Sequence, residues 1–235
     1  MSDNIYEQNV YSKGTKMWHG KGIVGTGEET ALQVYARMKP VEFRQEEFHI
    51  TLNGEMVGSG DFGIIRKQEK EVVIGHTKGR YDIIQPIEYC EMFDFAVGKP
   101  VETLGFLGTN AEKQFITWGL PDVDVRGDLL NLNGFLIAGF DGKYGEHLYV
   151  TKTRVVCQNT ANIAIGESKS TNSHGYGTNN SGSVYTGRHN HANHRRDLEI
   201  WLSHVQETSE KNVEIIKGLF MKMQEKPLSV DEAYG

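Results

Sequence analysis

Lys152 and Arg154 stand two residues apart in Leu148–Cys157, a run whose alternation predicts a strand. Residues two apart on a strand leave the same face, so the two cations should lie side by side with Leu148, Val150 and Val156. The plainer account of this run is a core strand with a charged end. Further on, Arg188, His189, Arg195 and Arg196 crowd the start of a long apolar-periodic stretch. Cations at a helix amino terminus, beside outward-pointing N–H groups, suit phosphate. Tyr176 and Tyr185 lie in the polar segment 167–187, where aromatic rings can stack bases. His189, His191 and His194, with Asp197 nearby, are of a type that binds zinc. Their spacing matches no zinc motif and no cysteine pair accompanies them. The expected site is therefore a nucleic-acid-binding one, made of Lys152, Arg154, Arg188, His189, Arg195, Arg196, Tyr176 and Tyr185. No metal and no cofactor is expected, and no catalytic residue.

The element that must position Lys152 and Arg154 is a strand running directly into a helix. Gln158, Asn159 and Thr160 offer capping side chains. Ala161, Ile163, Ala164 and Ile165 give the helix its apolar residues, and Gly166 is placed to stop it. Arg154-Val155-Val156-Cys157-Gln158-Asn159-Thr160 resembles the signature of the phage/plasmid-like protein family (domain of unknown function nine-three-two), common in phage genomes and mobile elements. Trp18-His19-Gly20-Lys21-Gly22 is similar to that family's amino-terminal Trp-His-Gly-x-Gly. Arg80-Tyr81-Asp82-Ile83-Ile84-Gln85-Pro86 is similar to its Arg-Tyr-x-x-x-Gln segment, with a helix at Tyr89-Cys90-Glu91-Met92-Phe93 after it. Arg188-His189 resembles the pair that opens its last long helix. The likeness runs over about residues 15–225. Lys152-Thr153 stand where the family often has proline, and the polar stretch after Gly166 is longer than its pattern. The resemblance implies kinship and a bacterial host cytoplasm, and carries no reaction.

Charge is segregated. Residues 1–150 hold 15 Lys and Arg against 22 Asp and Glu, a net of −7. Residues 151–200 hold 6 against 3, a net of +3, and four of the nine histidines. Residues 201–235 return to −2, with 4 against 6. An acidic chain that gathers its cations in one block can present that block to a polyanion. Cys90 and Cys157 are the only cysteines and both have apolar neighbours, so reduced, buried thiols are expected. The amino terminus lacks a signal-peptide pattern and no apolar run has the length of a membrane span.

At 235 residues the expectation is one α+β domain over 1–235. Residues 1–30 read as irregular, with Trp18 an aromatic anchor in a turn. A helix is expected from Glu28 to Met38 with Thr26 as its cap. Alternation predicts a strand at Phe43–Asn53, and Asn53-Gly54 predicts a hairpin. Strands follow at 62–66, 72–75, 101–107, 114–120, 131–140 and 146–158, with a helix from Pro86 between the second and third. Asp122, Asp124 and Asp128 read as a solvated acidic loop. Short turns between successive strands imply a mainly antiparallel sheet with helices packed on it. Residues 167–187 read as a flexible polar loop. A long carboxy-terminal helix is expected over 190–225, from Leu198, Trp201, Leu202, Val205, Val213, Ile216, Leu219, Phe220 and Met223. Ser229-Val230-Asp231-Glu232 resembles a capping box opening another helix, cut off at Gly235, so either a truncated chain or a tail that packs on a partner is expected.

Three functions fit these features. The first is a single-stranded nucleic-acid-binding protein, with a strand-annealing role, in phage or plasmid recombination or replication, working as a homo-oligomer in the bacterial cytoplasm without membrane contact. The second is an enzyme on nucleotides or nucleic acid, with His189 as acid/base and Arg154 and Arg188 as phosphate clamps. The third is a protein-interaction module, such as a phage inhibitor of host defence.

Overall fold

A computed structural model describes residues 5–15, 20, 22–67, 70–79, 81, 83–121, 123–125, 128–151, 153–172 and 185–187. At 7–8, 123–125, 128–130, 167–172 and 185–187 the description is of backbone alone. The helix expected over 190–225 and its neighbours lie outside these residues.

The architecture is α+β, with mainly antiparallel sheets, as the short turns imply. Seven strands form one sheet in the order β12 (Tyr185–Gly187), β11 (Glu146–Thr151), β10 (Asn133–Gly139), β7 (Lys113–Gly119), β6 (Thr103–Leu107), β1 (Ile5–Lys13) and β2 (Ile23–Gly25). Only the β1–β2 pair is parallel among the described pairs of this sheet. The amino-terminal segment is thus not irregular throughout. Val10 and Tyr11 are both fully buried, so β1 carries core residues on its two faces. In sequence, Glu7, Gln8 and Asn9 interrupt the apolar run of β1, so it lacks a strand pattern.

Both faces of this sheet are covered. Leu104, Phe106, Ile116, Trp118, Leu136, Leu148 and Val150 share a core with helices α1 (Ala31–Arg37) and α2 (Pro86–Ala96). The alternate positions, Leu107, Phe115, Phe135, Ile137 and Tyr149, pack with Ala161 and Ala164 of α3 (Gln158–Asn172). Period two sends alternate residues to opposite layers. Trp118 meets Phe93 of α2 edge-on, with ring centroids 5.2 Å apart. Gly134 lies against the same indole, where a side chain would collide.

Helix α1 begins three residues later than expected. Thr30 is its cap, in a capping box with Gln33. Asp94 of α2 accepts from the Ala31 and Leu32 N–H groups at 2.7 and 3.0 Å, which ties the two helices together. A carboxylate there also meets the positive end of the helix dipole. Helix α2 starts at Pro86 as expected, with a capping box between Gln85 and Glu88.

A second sheet has the order β3 (Glu42–Leu52), β4 (Glu55–Lys67), β5 (Val72–Lys78). It is a separate sheet, where one continuous sheet over 43–158 was expected. Asn53 and Gly54 make the turn, with φ of 53° and 86°, as the left-handed pair of a tight hairpin requires. Its inner face joins the core: Phe43 stacks on Phe140 at 4.4 Å, and Gly75 lets β5 approach the Asp141 backbone. Arg66, buried on this inner side, lies 4.7 Å over the Tyr6 ring. Asp124 and Asp128 belong to a small hairpin, β8 (Val123–Val125) with β9 (Asp128–Leu130), and not to an open loop.

Candidate nucleic-acid interface at the edge of the main sheet

Strand β11 ends at Thr151, earlier than the alternation suggests. Thr151 Oγ1 accepts from the Thr153 N–H at 3.0 Å, and this local bond turns the chain out of the ladder. Arg154 therefore lies beyond the strand; Lys152 itself lies outside the described residues. Arg154 reaches across to the end of β1. Its Nη2 donates to Ser12 Oγ at 2.8 Å and to the Lys13 carbonyl at 2.9 Å. The guanidinium expected to hold a phosphate instead fastens the turn before α3 to a distant strand.

The rest of Arg154–Thr160 has similar duties. Val155 is fully buried, and its carbonyl accepts from Thr103 Oγ1 at 2.7 Å. That uses the Thr103 proton, so the contact between Thr103 and Thr117 hydroxyls has Thr117 as donor. Thr160 Oγ1 accepts from the Val156 and Cys157 N–H groups at 2.8 and 2.9 Å and donates to the Cys157 carbonyl at 3.0 Å. Both lone pairs and the proton of one hydroxyl thus close the turn that starts the helix. Cys157 is buried. Gln158, half-buried, donates to Asn162 at 2.9 Å, and Asn159 is exposed. The heptapeptide is mainly a joint that seats α3 on the sheet, with Asn159 facing outward.

Helix α3 does not stop at Gly166 but runs to Asn172, so the first part of the segment expected as a flexible loop is helical. Its last part is β12, which pairs Tyr185 with Leu148 and Gly187 with Glu146. Tyr185 is thereby placed on the edge strand. Gly187, the residue before Arg188, sits opposite Glu146, five residues along β11 from Thr151, the residue before Lys152. At about 3.3 Å per residue these two points are roughly 17 Å apart. Tyr176, Arg188, His189, Arg195 and Arg196 lie outside the described residues, as do His191, His194 and Asp197.

One chemical group escaped the sequence. Glu146, at the start of β11, is fully buried and accepts a short hydrogen bond of 2.5 Å from the Tyr89 hydroxyl on α2. Burial, then the Glu146 charge, push the Tyr89 hydroxyl well above its ordinary pKa, and the same two causes raise Tyr81. A carboxylate so shielded holds α2 against the sheet and offers no open face to a reactant. A lone Glu at the head of a strand gives no sequence signal for this. A second carboxylate, Glu29, accepts from Tyr11 Oη at 2.9 Å, from Thr26 N and Oγ1, from Gly27 N and from Arg37. Burial opposes its charge, but the donors from Tyr11, Thr26 and Gly27 outweigh that and hold the carboxyl down at about 2. Burial and then Glu29 push the Tyr11 hydroxyl up to about 12.

Cys90 and Cys157 are free thiols, both buried, and burial raises Cys90 far above the ordinary thiol value. Among the described residues no three His, Cys, Asp or Glu side chains converge to hold a metal ion. Among them, too, no helix is long and apolar enough to cross a membrane.

The fold is thus that of an α+β protein with mainly antiparallel sheets, in which the block 151–200 opens at the end of β11. Residues 73–228 match the family described as Domain of unknown function (DUF932), and the chain belongs to that family. No curated protein and no solved structure matches it.

Proposed function

We propose that the chain is a single-stranded nucleic-acid-binding protein of phage or plasmid recombination or replication. The observation that carries this reading is the spacing along β11. The two stretches that begin at Lys152 and Arg188 leave the described fold roughly 17 Å apart on one edge. A spacing wider than a single phosphate ester supports an extended polyanion as the ligand. The net charge of +3 over 151–200, in a chain of −6, supports the same partner. Single strands bound this way release counterions, so affinity falls steeply with salt.

The test is titration of a labelled oligothymidylate at several salt concentrations, with a mononucleotide as competitor. Steep salt dependence, no competition by the mononucleotide and a weaker slope in Lys152→Ala, Arg188→Ala support the reading. Equal binding of oligomer and mononucleotide would favour the nucleotide enzyme. Absence of any single-strand binding would leave the interaction module.

A further inference from the structure

We propose that the outer face of β3–β4–β5 is the contact between two copies of this chain. The sheet register defines that face. Ile50 is opposite Val57 and Leu52 opposite Glu55, so these four share a side. Phe48 continues it: its ring lies over Gly63, stacks on His76 at 5.9 Å and borders Val73. Phe43 and Ile64 lie on the other side, inside the core. The outer side leaves Phe48, Ile50, Leu52, Val57 and Val73 between 38% and 54% exposed. These five are more than half of the nine large apolar residues exposed among the described ones. Scattered single exposures need no explanation, but a contiguous strip does.

Size and charge point to a second copy as the occupant. Strand β3 has 11 residues, so the face is about 36 Å long; it is two strands wide, about 10 Å, along the hairpin arm and three wide, about 14 Å, only where β5 pairs with Asp61–Arg66. That is roughly 450 Å² per copy and about 900 Å² for a pair, the size of a small interface between copies. The rim carries both signs. Arg44 bonds Glu46 and Glu71 at 2.9 and 2.8 Å, and His76 is 3.6 Å from Asp61. Residues 42–78 hold five Lys and Arg against seven Asp and Glu, so a polyanion meets repulsion there. A copy related by a twofold axis brings this mixed rim against itself, without the repulsion that a polyanion meets. The pair forms by apolar contact, independently of nucleic acid.

The test is molar mass by light scattering after size exclusion, at micromolar concentration, for the full chain and three variants. Wild type and Met56→Glu should weigh two copies, because Met56 lies on the opposite side of the hairpin and is 73% exposed. Ile50→Glu with Val73→Glu, and separately Val57→Lys, should weigh one copy with an unchanged unfolding midpoint in the dilute protein. A wild type of one copy overturns the proposal. Charge variants that remain paired also overturn it, as does a Met56 variant that dissociates as readily. Loss of folding in both outer-face variants would make the face part of the core and end the proposal too.

Discussion

The two sheets are made of similar residues and put them to different use. In the seven-stranded sheet, Phe135 and Leu136 are successive residues on opposite faces, and both are buried. In the three-stranded sheet, the arm from Phe48 to Val57 leaves Ile50, Leu52 and Met56 in solvent. A β-branched or aromatic side chain thus stabilises the first sheet by about 1.5–3 kcal/mol on burial, while in the second it is still available to an external surface. Alternation reports the strand; only the layers stacked on it decide which side is core.

The widest gap between the two regions should appear on truncation. Trp118→Ala removes a fully buried ring between Phe93 and Gly134, and should cost about 3–5 kcal/mol in urea unfolding. Ile50→Ala should stay within about 0.5 kcal/mol in dilute protein. Similar losses at both sites would erase the distinction between the sheets.

Thr103→Val probes the polar link through the main sheet at constant volume. It leaves the Val155 carbonyl and the Thr117 hydroxyl without this partner in a buried place. The expected loss is about 1–3 kcal/mol. A neutral result would mean that the joint before α3 is held by Arg154 and Thr160 alone.

A smaller effect is expected at the other edge of that sheet. Glu29 is held at about 2, below the ordinary carboxylate value, so its contribution is complete above about pH 4.5 and fades as pH falls toward 2. Glu29→Gln should therefore lower the unfolding midpoint at pH 7, and the difference from wild type should shrink across that acid window. A difference that stays constant down to pH 2 would refute the assigned hydrogen-bond set.

Much of this arrangement is legible from residue types. Asn53-Gly54, Pro86 and the strand-like run 114–120 specify a hairpin, a helix start and a strand by local chemistry, and each is found. Strand β1 is hidden because Glu7, Gln8 and Asn9 break its apolar run, although Val10 and Tyr11 are fully buried. At the candidate site, the cationic block and the heptapeptide stand out in sequence, yet the duty of Arg154 does not. Its partners, Ser12 and Lys13, lie more than 140 residues away, and no local pattern encodes a contact of that range. The end of β11 at Thr151 is equally hidden, since Thr153 looks as strand-like as Thr151 until the hydroxyl of the latter captures its N–H.

Two neighbouring cations are assigned different duties: Arg154 bonds the fold together, and Lys152 is proposed to begin the surface that meets nucleic acid. Unfolding midpoint and single-strand affinity, measured together on Arg154→Ala and Lys152→Ala, separate the two. Arg154→Ala should lower the midpoint, through the lost bonds to Ser12 and Lys13. Lys152→Ala should leave the midpoint unchanged and flatten the salt dependence by about 0.7 of a unit of slope. An Arg154→Ala protein of normal stability that has lost single-strand binding, beside a Lys152→Ala protein that binds as wild type does, would reverse the two duties.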